Sequence, residues 1–238
     1  MSRWMKGRLA IESLAASLVL GACGDGQEET GTPQLAVFAP VTFTSANGVQ
    51  LSGSLFGQGR QGIILAHMFP ADHGIWIELA GDLVGLDYLG LPFDFRGYGD
   101  SEGDQEFDRI DRDVEWALDF LEQRGVEDVF LIGASMGGTA SLNVASRRSV
   151  SGVVSVPRPV AFQRQKVLQD ILHIQEPVLF MASGQDGQAH ESVLLLAGLA
   201  ETLAQTLVLP GTVHGTDMLD GTTRQSVRDA IMDVLEES

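Results

Sequence analysis

Two serines of this chain stand between glycines in the spacing G-x-S-x-G, an arrangement in which a serine hydroxyl can serve as a nucleophile. Ser135 lies in GASMG and Ser101 lies in GDSEG. Because the chain contains 28 glycines, this spacing alone does not identify a nucleophile. The residues around each serine must decide between them.

The surroundings of the two serines favour Ser135. A serine hydroxyl is a weak nucleophile at neutral pH, so it needs a neighbouring base and must project towards the substrate. A sharp turn from a strand into a helix projects the side chain, and flanking glycines relieve crowding of the backbone. Ser135 follows the apolar run Val129–Ile132 and precedes a predicted helix that begins at Met136. Ser101 lies in the charged, glycine-rich stretch DFRGYGDSEGDQE, and no strand leads into it.

Short apolar runs of the kind found in buried strands alternate with segments of helical periodicity along most of the chain. The apolar runs lie at residues 62–67, 86–95, 126–133, 150–156, 177–183 and 205–210. The helical segments lie at 74–85, 111–125, 136–148, 160–173, 190–204 and 224–236. Continuous apolar runs are typical of strands that are buried on both faces of a parallel sheet. Before them, Asn47-Gly48 separates two alternating runs, which predicts an antiparallel hairpin.

This pattern predicts an α/β fold with one mostly parallel central sheet, an N-terminal antiparallel hairpin and helices on both faces. The chain has 238 residues, and we expect one catalytic domain over residues 35–238. Its net charge of −17 argues against nucleic acid as a partner, because phosphate backbones are bound by clustered lysine and arginine.

The N-terminus is typical of a bacterial export signal. Basic residues precede an apolar run over residues 9–22 that is short for a transmembrane helix and is interrupted by Glu12. The motif LGAC, which ends at Cys23, resembles the lipobox of bacterial lipoproteins, in which cleavage leaves a lipidated cysteine. We therefore expect a signal peptide over 1–22, a flexible tether over 23–34, and a lipid-anchored protein of the cell envelope that faces outside the cytoplasm. A plain secretory signal or a misassigned start of the chain is the alternative.

Over residues 40–236 the sequence resembles the α/β-hydrolase superfamily. Three motifs carry the resemblance: GASMG as the nucleophile elbow, DFRGYGDS as the loop after an early strand, and LAHMFP as the start of the oxyanion loop. In these families the D-x-R-G-x-G-x-S loop has a structural role. The resemblance thus implies that Asp94, Arg96 and Ser101 form local hydrogen bonds and do not take part in catalysis.

The resemblance also implies a catalytic triad in the chain order serine, acid, histidine. Asp186 follows the fifth apolar run and His214 follows the sixth, where the carboxyl ends of parallel strands converge. We therefore predict Ser135, Asp186 and His214 as the triad. Asp217 and Asp220 are alternative acids because they lie close to the histidine in sequence.

An oxyanion hole needs two hydrogen-bond donors. The family pattern implies the backbone N–H of Met136 as the first donor and an N–H of the loop after LAH as the second. Pro70 has no N–H, which leaves Phe69 as the first choice and Met68 as the second. Met68 stands where a glycine is more common in these families.

The substrate pocket is expected to be open. The segment between the strands that end near Val156 and start near Pro177 is too short for the cap domain that many α/β-hydrolases carry there. Candidate pocket walls, each of which could instead pack in the core, are Met68, Trp76, Val160 and Phe162.

Together these features predict a serine hydrolase that cleaves carboxylic esters of small or medium acyl groups through an acyl-enzyme. The stretch HMFPADH has Met68 and Pro70 where a metallo-hydrolase motif needs histidines, so neither a metal nor another cofactor is expected. Two alternatives stay open: a noncatalytic envelope lipoprotein that keeps the fold, and an acyltransferase.

Overall fold

Eight strands form a single sheet in the computed structural model, which describes residues 38–157, 168–200 and 204–236. Their order is β1-β2-β4-β3-β5-β6-β7-β8. The strands are β1 (Ala39–Thr44), β2 (Gln50–Gly57), β3 (Gln61–Ala66), β4 (Tyr88–Phe93), β5 (Asp128–Ser135), β6 (Gly152–Pro157), β7 (Val178–Ser183) and β8 (Ala204–Leu209). All described residues belong to the unit Leu35–Ser238.

The sheet is antiparallel only at its β1–β2 end. β1 pairs with β2 around the predicted turn, and β2 pairs antiparallel with β4, whereas β4, β3, β5, β6, β7 and β8 are mutually parallel. At the turn, Ser45 N–H donates to Val49 O at 2.9 Å, and Gly48 has a φ of +85° that favours glycine. This architecture confirms the predicted fold class.

Five α-helices and three short 3₁₀ helices surround the sheet in the described part of the chain. The α-helices are α1 (Ile77–Leu83), α2 (Ile110–Glu122), α3 (Met136–Ala145), α4 (Gly187–Leu199) and α5 (Arg224–Glu236). The 3₁₀ helices are His73–Trp76, Ile171–His173 and Gly215–Leu219.

The core consists of two apolar clusters, one on each face of the sheet. Successive strand residues point to opposite faces, so Ile64 packs in one cluster with α2, α3 and α4, while Ile63 packs in the other with α1 and α5. Both isoleucines are fully buried. Burial of each such side chain contributes roughly 1.5–3 kcal/mol, which explains why the central strands are apolar without interruption.

Two predicted helices have different ends in the structure. The helix predicted at 190–204 begins three residues earlier, at Gly187, and the helix predicted at 136–148 ends at Ala145. Most of the helix predicted at 160–173, and the signal peptide and tether predicted over 1–34, lie outside the described residues.

Candidate active site

Ser135 lies at the junction between β5 and α3, and its backbone is strained. Its φ of +50° and ψ of −111° make it the one non-glycine residue with positive φ in the described part of the chain. Such a conformation costs on the order of 1–3 kcal/mol and persists only where the surroundings impose it. The side chain is partly exposed, although the strand and the helix on either side of it are buried. The turn thus projects the hydroxyl out of the sheet.

The glycines that flank Ser135 are required by close backbone contacts. A Cβ on Gly133 would lie 2.5 Å from the carbonyl oxygen of Gly137, and a Cβ on Gly137 would collide with the backbone of Ala66 and His67. A side chain at either position would therefore displace the turn or the loop after β3. These contacts also place the N-terminus of α3 directly beside the end of β3.

Asp186 and His214 form a hydrogen bond at the same edge of the sheet. The distance between His214 Nδ1 and Asp186 Oδ2 is 2.6 Å. Two backbone bonds tie the loops after β7 and β8 together: Gly184 N–H donates to Leu209 O at 2.7 Å, and Gln185 N–H donates to Gly211 O at 2.9 Å. The carboxylate and the imidazole are therefore held together by their main chains.

This geometry separates Asp186 from the two alternative acids. Of the three carboxylates considered, only Asp186 hydrogen bonds to His214 in the described residues, whereas the side chains of Asp217 and Asp220 are exposed. Because Nδ1 faces Asp186, Nε2 is the nitrogen left to act on a nucleophile. No hydrogen bond joins Ser135 to His214 within the described ranges, and such bonds often tighten only when substrate is bound.

The loop after β3, which we call the oxyanion loop (residues 68–72), directly follows a buried histidine, His67. The ring of His67 accepts a hydrogen bond from Phe95 N–H at Nε2, 3.0 Å away, and donates from Nδ1 to Met68 O at 2.9 Å. This pattern assigns the neutral Nδ1–H tautomer. Burial lowers the pKa of His67, which keeps the ring neutral.

The two predicted oxyanion donors lie in suitable backbone settings. Phe69 N–H has no acceptor among the residues that the structure describes. Met136 is the first residue of α3, and the first N–H groups of a helix lack an intrahelical acceptor. The side chain of Met68 contacts Gly215, the residue after His214, so the oxyanion loop packs against the histidine loop.

The side-chain hydroxyl of Ser101, the second serine with the G-x-S-x-G spacing, forms two hydrogen bonds to main-chain groups. Its hydroxyl donates to Asp94 O at 2.7 Å and accepts from Ser52 N–H at 2.8 Å. The hydroxyl thereby links the loop after β4 to the neighbouring strand β2. No base contacts it in the described residues.

Arg96 of the same loop is a buried structural residue. Its side chain is 1% exposed, forms a multidentate ion pair with Asp113 of α2, and also bonds Glu106 at 2.8 Å. Breaking such a buried pair by removing one partner costs about 3–5 kcal/mol. Asp94, Arg96 and Ser101 thus all form the local hydrogen bonds that the resemblance implied.

Of the residues predicted to line the substrate pocket, one borders a cleft, one packs in the core and two lie outside the described residues. Met68 is partly buried and borders a cleft of about 260 Å³ that also contacts Thr216, Leu79 and Arg224. Trp76 is 2% exposed and packs in the core on the α1 face, which is the alternative considered for it. Val160 and Phe162 lie outside the described residues.

A cluster of polar residues beside the oxyanion loop contains Asp72 and His73 of the stretch HMFPADH, and its third member, Asp94, was not predicted from the sequence to meet them. Potential metal ligands of Asp72, His73 and Asp94 lie within 4.8 Å of one another. His73 Nδ1 bonds Asp94 Oδ1 directly at 2.8 Å, so the pair satisfies its own polar groups. The signal that could have revealed the pair is positional: His73 follows β3 and Asp94 follows β4, and these two strands are parallel neighbours.

Comparison with known proteins agrees with this fold. The family model of the alpha/beta hydrolase fold matches residues 62–170. An uncharacterized protein of Mycobacterium tuberculosis is 26% identical over 226 residues, covering 83% of this chain and 79% of the relative. A monoglyceride lipase of Mus musculus is 38% identical over 102 residues, covering 40% of this chain and 33% of the lipase.

Solved structures give the same result over most of the chain. An esterase of Pyrococcus furiosus superimposes with a TM-score of 0.72 at 17% identity, covering 85% of this chain and 93% of the esterase. At this identity the likeness concerns the fold alone. Together with the family match and the strand order, it shows that the chain has the α/β-hydrolase fold.

Proposed function

We propose that the protein is a serine hydrolase that cleaves carboxylic esters of small or medium acyl groups through Ser135, His214 and Asp186. The observation that carries the proposal is the 2.6 Å bond between His214 and Asp186 at the edge of the sheet where Ser135 projects from its strained turn. Both features are needed for an activated serine, since a hydroxyl requires a base and the base requires a fixed orientation.

In the first step of this mechanism Ser135 Oγ attacks the acyl carbon while His214 Nε2 takes its proton. Asp186 holds Nδ1–H, fixes the tautomer and stabilises the imidazolium that forms. The tetrahedral intermediate then collapses: the bond to the alcohol oxygen breaks, and the leaving alcohol takes the proton from His214 Nε2. An acyl-enzyme on Ser135 results.

In the second step water attacks the acyl carbon, His214 takes a proton from the water, and the carboxylic acid leaves as Ser135 regains its proton. In both steps the N–H groups of Phe69 and Met136 stabilise the negative charge that develops on the carbonyl oxygen. Such a donor is worth about 3–4 kcal/mol in the transition state. A serine at the elbow favours esters over halides or epoxides, because related enzymes that displace halide or open epoxides use aspartate at this position.

The test is hydrolysis of p-nitrophenyl esters of increasing acyl length by the full chain, with Ser135→Ala and Ser101→Ala as a matched pair. The two substitutions remove the same hydroxyl from the same glycine spacing. We expect turnover of the short esters by wild type and Ser101→Ala, and its loss in Ser135→Ala. A folded wild-type protein that cleaves none of these esters would contradict the proposal and favour a noncatalytic lipoprotein.

An acyltransferase differs from a hydrolase only in which nucleophile resolves the acyl-enzyme. Repeating the assay with an added primary alcohol and identifying the products by mass spectrometry separates the two. We expect free acid as the main product. Predominant transfer to the alcohol at low alcohol concentration would favour the acyltransferase.

We also propose that Cys23 carries a lipid anchor that holds the domain in the bacterial cell envelope. Support comes from the LGAC motif and the apolar run before it. Within the described residues, no helix combines the length and apolar character needed to cross a bilayer. In a bacterial host, detergent-phase partitioning of the wild-type chain and its loss in Cys23→Ala are expected, and equal partitioning of both would contradict the anchor.

A further inference from the structure

The oxyanion loop is held at both of its ends by two adjacent residues at the carboxyl end of β4. At the start of the loop, Phe95 N–H donates to Nε2 of His67, whose Nδ1 in turn bonds Met68 O. At the far end, Asp94 Oδ1 accepts two hydrogen bonds from His73, one from its backbone N–H at 2.7 Å and one from Nδ1 at 2.8 Å. The loop is thus suspended between two points on a central strand.

Asp94 is itself rigidly fixed. Its side chain is 1% exposed, and its second oxygen, Oδ2, accepts from Asp100 N–H at 3.0 Å. Its main-chain oxygen accepts from Ser101 Oγ. Burial alone would raise the pKa of Asp94, but the hydrogen bonds from His73 and Asp100 hold it below the ordinary value. The group is therefore a carboxylate, and its bonds to His73 are charge-assisted.

The carboxylate lies beside the loop and hydrogen bonds to neither Ser135 nor His214 within the described ranges, so it can act on catalysis only through the loop. A donor in an oxyanion hole must lie about 2.7–3.1 Å from the developing charge, and small displacements lower its effect steeply. Phe69 N–H lies between the two anchored ends of the loop. Its position therefore depends on how firmly His73 is held.

We propose that His73 and Asp94 are positioning residues for the oxyanion hole, and this proposal rests on the proposed esterase function. The His73 side chain, through its Nδ1–H bond to the buried carboxylate, fixes the far end of the oxyanion loop and thereby the N–H of Phe69. This role gives a function to Asp94, a buried carboxylate that is not part of the proposed triad.

The experiment compares His73→Asn with His73→Gln in the full chain, with p-nitrophenyl acetate as substrate. The amide nitrogen of asparagine lies near the position of histidine Nδ1, whereas that of glutamine lies near Nε2. The concentration of active sites is measured with a fluorophosphonate probe, so that kcat is expressed per competent site and partial unfolding does not enter. We also measure Tm for each variant.

We expect kcat per site to fall about 10- to 100-fold in His73→Gln, which is less than the loss when an oxyanion donor is removed outright. KM should change by less than about threefold, because the donor acts in the transition state. His73→Asn should recover most of kcat. A matched control, His173→Ala, alters an exposed histidine of another segment and should match wild type.

Two results would overturn the proposal while leaving the esterase function intact: equal kcat per site in His73→Gln and wild type, or equal loss in the Asn and Gln variants. The latter would show that His73 only packs the loop. If wild type itself cleaves no ester, both the function and the positioning role are rejected. The outcomes for the two proposals are therefore distinguishable.

Discussion

Ser135 and Ser101 share the G-x-S-x-G spacing and differ in everything else that matters for chemistry. Ser135 ends a buried strand, begins a helix and has a strained backbone, and its hydroxyl lies near the edge that bears His214 and Asp186. Ser101 lies in a loop, and its hydroxyl is saturated by Asp94 O and Ser52 N–H. The spacing of glycines permits a tight turn. Where a buried strand precedes the serine, as at Ser135, the turn exposes the hydroxyl. Where a loop precedes it, as at Ser101, the hydroxyl hydrogen bonds to the backbone.

The turn at Ser135 and the loop at Ser101 also contribute differently to the stability of the fold. At Ser135 the backbone conformation costs on the order of 1–3 kcal/mol, and the flanking Gly133 and Gly137 have no room for a side chain. At Ser101 the hydroxyl gains two hydrogen bonds and so contributes to stability. Substitutions at the two serines should therefore act on different quantities, activity in one case and stability in the other.

The largest expected effect is that of Ser135→Ala. Removal of a catalytic serine lowers kcat by about 10⁶-fold in serine proteases, because no other group can form the acyl-enzyme. We expect ester hydrolysis by Ser135→Ala to fall to the background rate while Tm stays level or rises, since alanine tolerates the turn no worse. Steady-state kinetics and thermal unfolding check this. Retained turnover would place the nucleophile elsewhere.

The next largest effect is expected from Asp186→Asn, with Asp217→Asn as its control. Loss of the carboxylate that orients the histidine should lower kcat by about 10⁴-fold. Asp217 is exposed and makes no side-chain bond to His214, so its substitution should leave kcat within about twofold of wild type. The reverse order of effects would transfer the role of acid from Asp186 to Asp217.

A smaller effect, confined to stability, is expected from Ser101→Ala. Removal of the hydroxyl leaves Ser52 N–H and Asp94 O without their partner, which costs about 1–3 kcal/mol for a partly buried site. Urea unfolding measures the change, and kcat per labelled site should remain near that of wild type. A large loss of kcat per site at unchanged stability would mean that Ser101 has a chemical role.

The smallest effect is on the pH dependence of the free energy of unfolding, and it comes from His67. This residue precedes the oxyanion loop and hydrogen bonds to Phe95 in the loop that bears Ser101. Burial lowers the folded-state pKa of His67 below its ordinary value of 6.5. On acidification below that value the unfolded chain binds a proton that the folded chain does not, so the free energy of unfolding falls by up to about 1.4 kcal/mol per pH unit. His73 has a raised folded-state pKa, so its contribution is complete in this range and is lost only at higher pH.

Urea unfolding of wild type and His67→Gln between about pH 5 and pH 7 tests this linkage. The wild-type free energy of unfolding should fall more steeply with acidification than that of the variant. Parallel curves for the two proteins would show that His67 binds protons equally in the folded and unfolded states, so that burial does not keep its ring neutral. Its tautomer and its bond from Phe95 N–H would then need to be reassigned.

The sequence predicted the sheet and the serine turn because both depend on local patterns. Uninterrupted apolar runs are dictated by burial on both faces, and the elbow follows from a run, a serine and two glycines within one short segment. The start of α4 was placed three residues late, at position 190. Its first residue is Gly187, which has poor helix propensity and whose role depends on the loop that presents Asp186.

Contacts between pairs of loops follow less directly from the sequence: the resemblance implied Asp186 as the acid but left Asp217 and Asp220 as alternatives. Asp186, Asp217 and Asp220 are similar residues beside similar loops, and only the backbone bonds between the loops after β7 and β8 single out Asp186. The bond between His73 and Asp94 likewise requires β3 and β4 to be neighbours in register. Chain periodicity carries no information about which loops meet.

The most direct test of the central claim is to label the folded full chain with a fluorophosphonate and to identify the modified residue by peptide mapping. We expect a single phosphonylated site at Ser135, with labelling abolished in Ser135→Ala and preserved in Ser101→Ala. Modification of Ser101, or of any serine other than Ser135, would contradict the claim that the strained turn at the end of β5 holds the nucleophile.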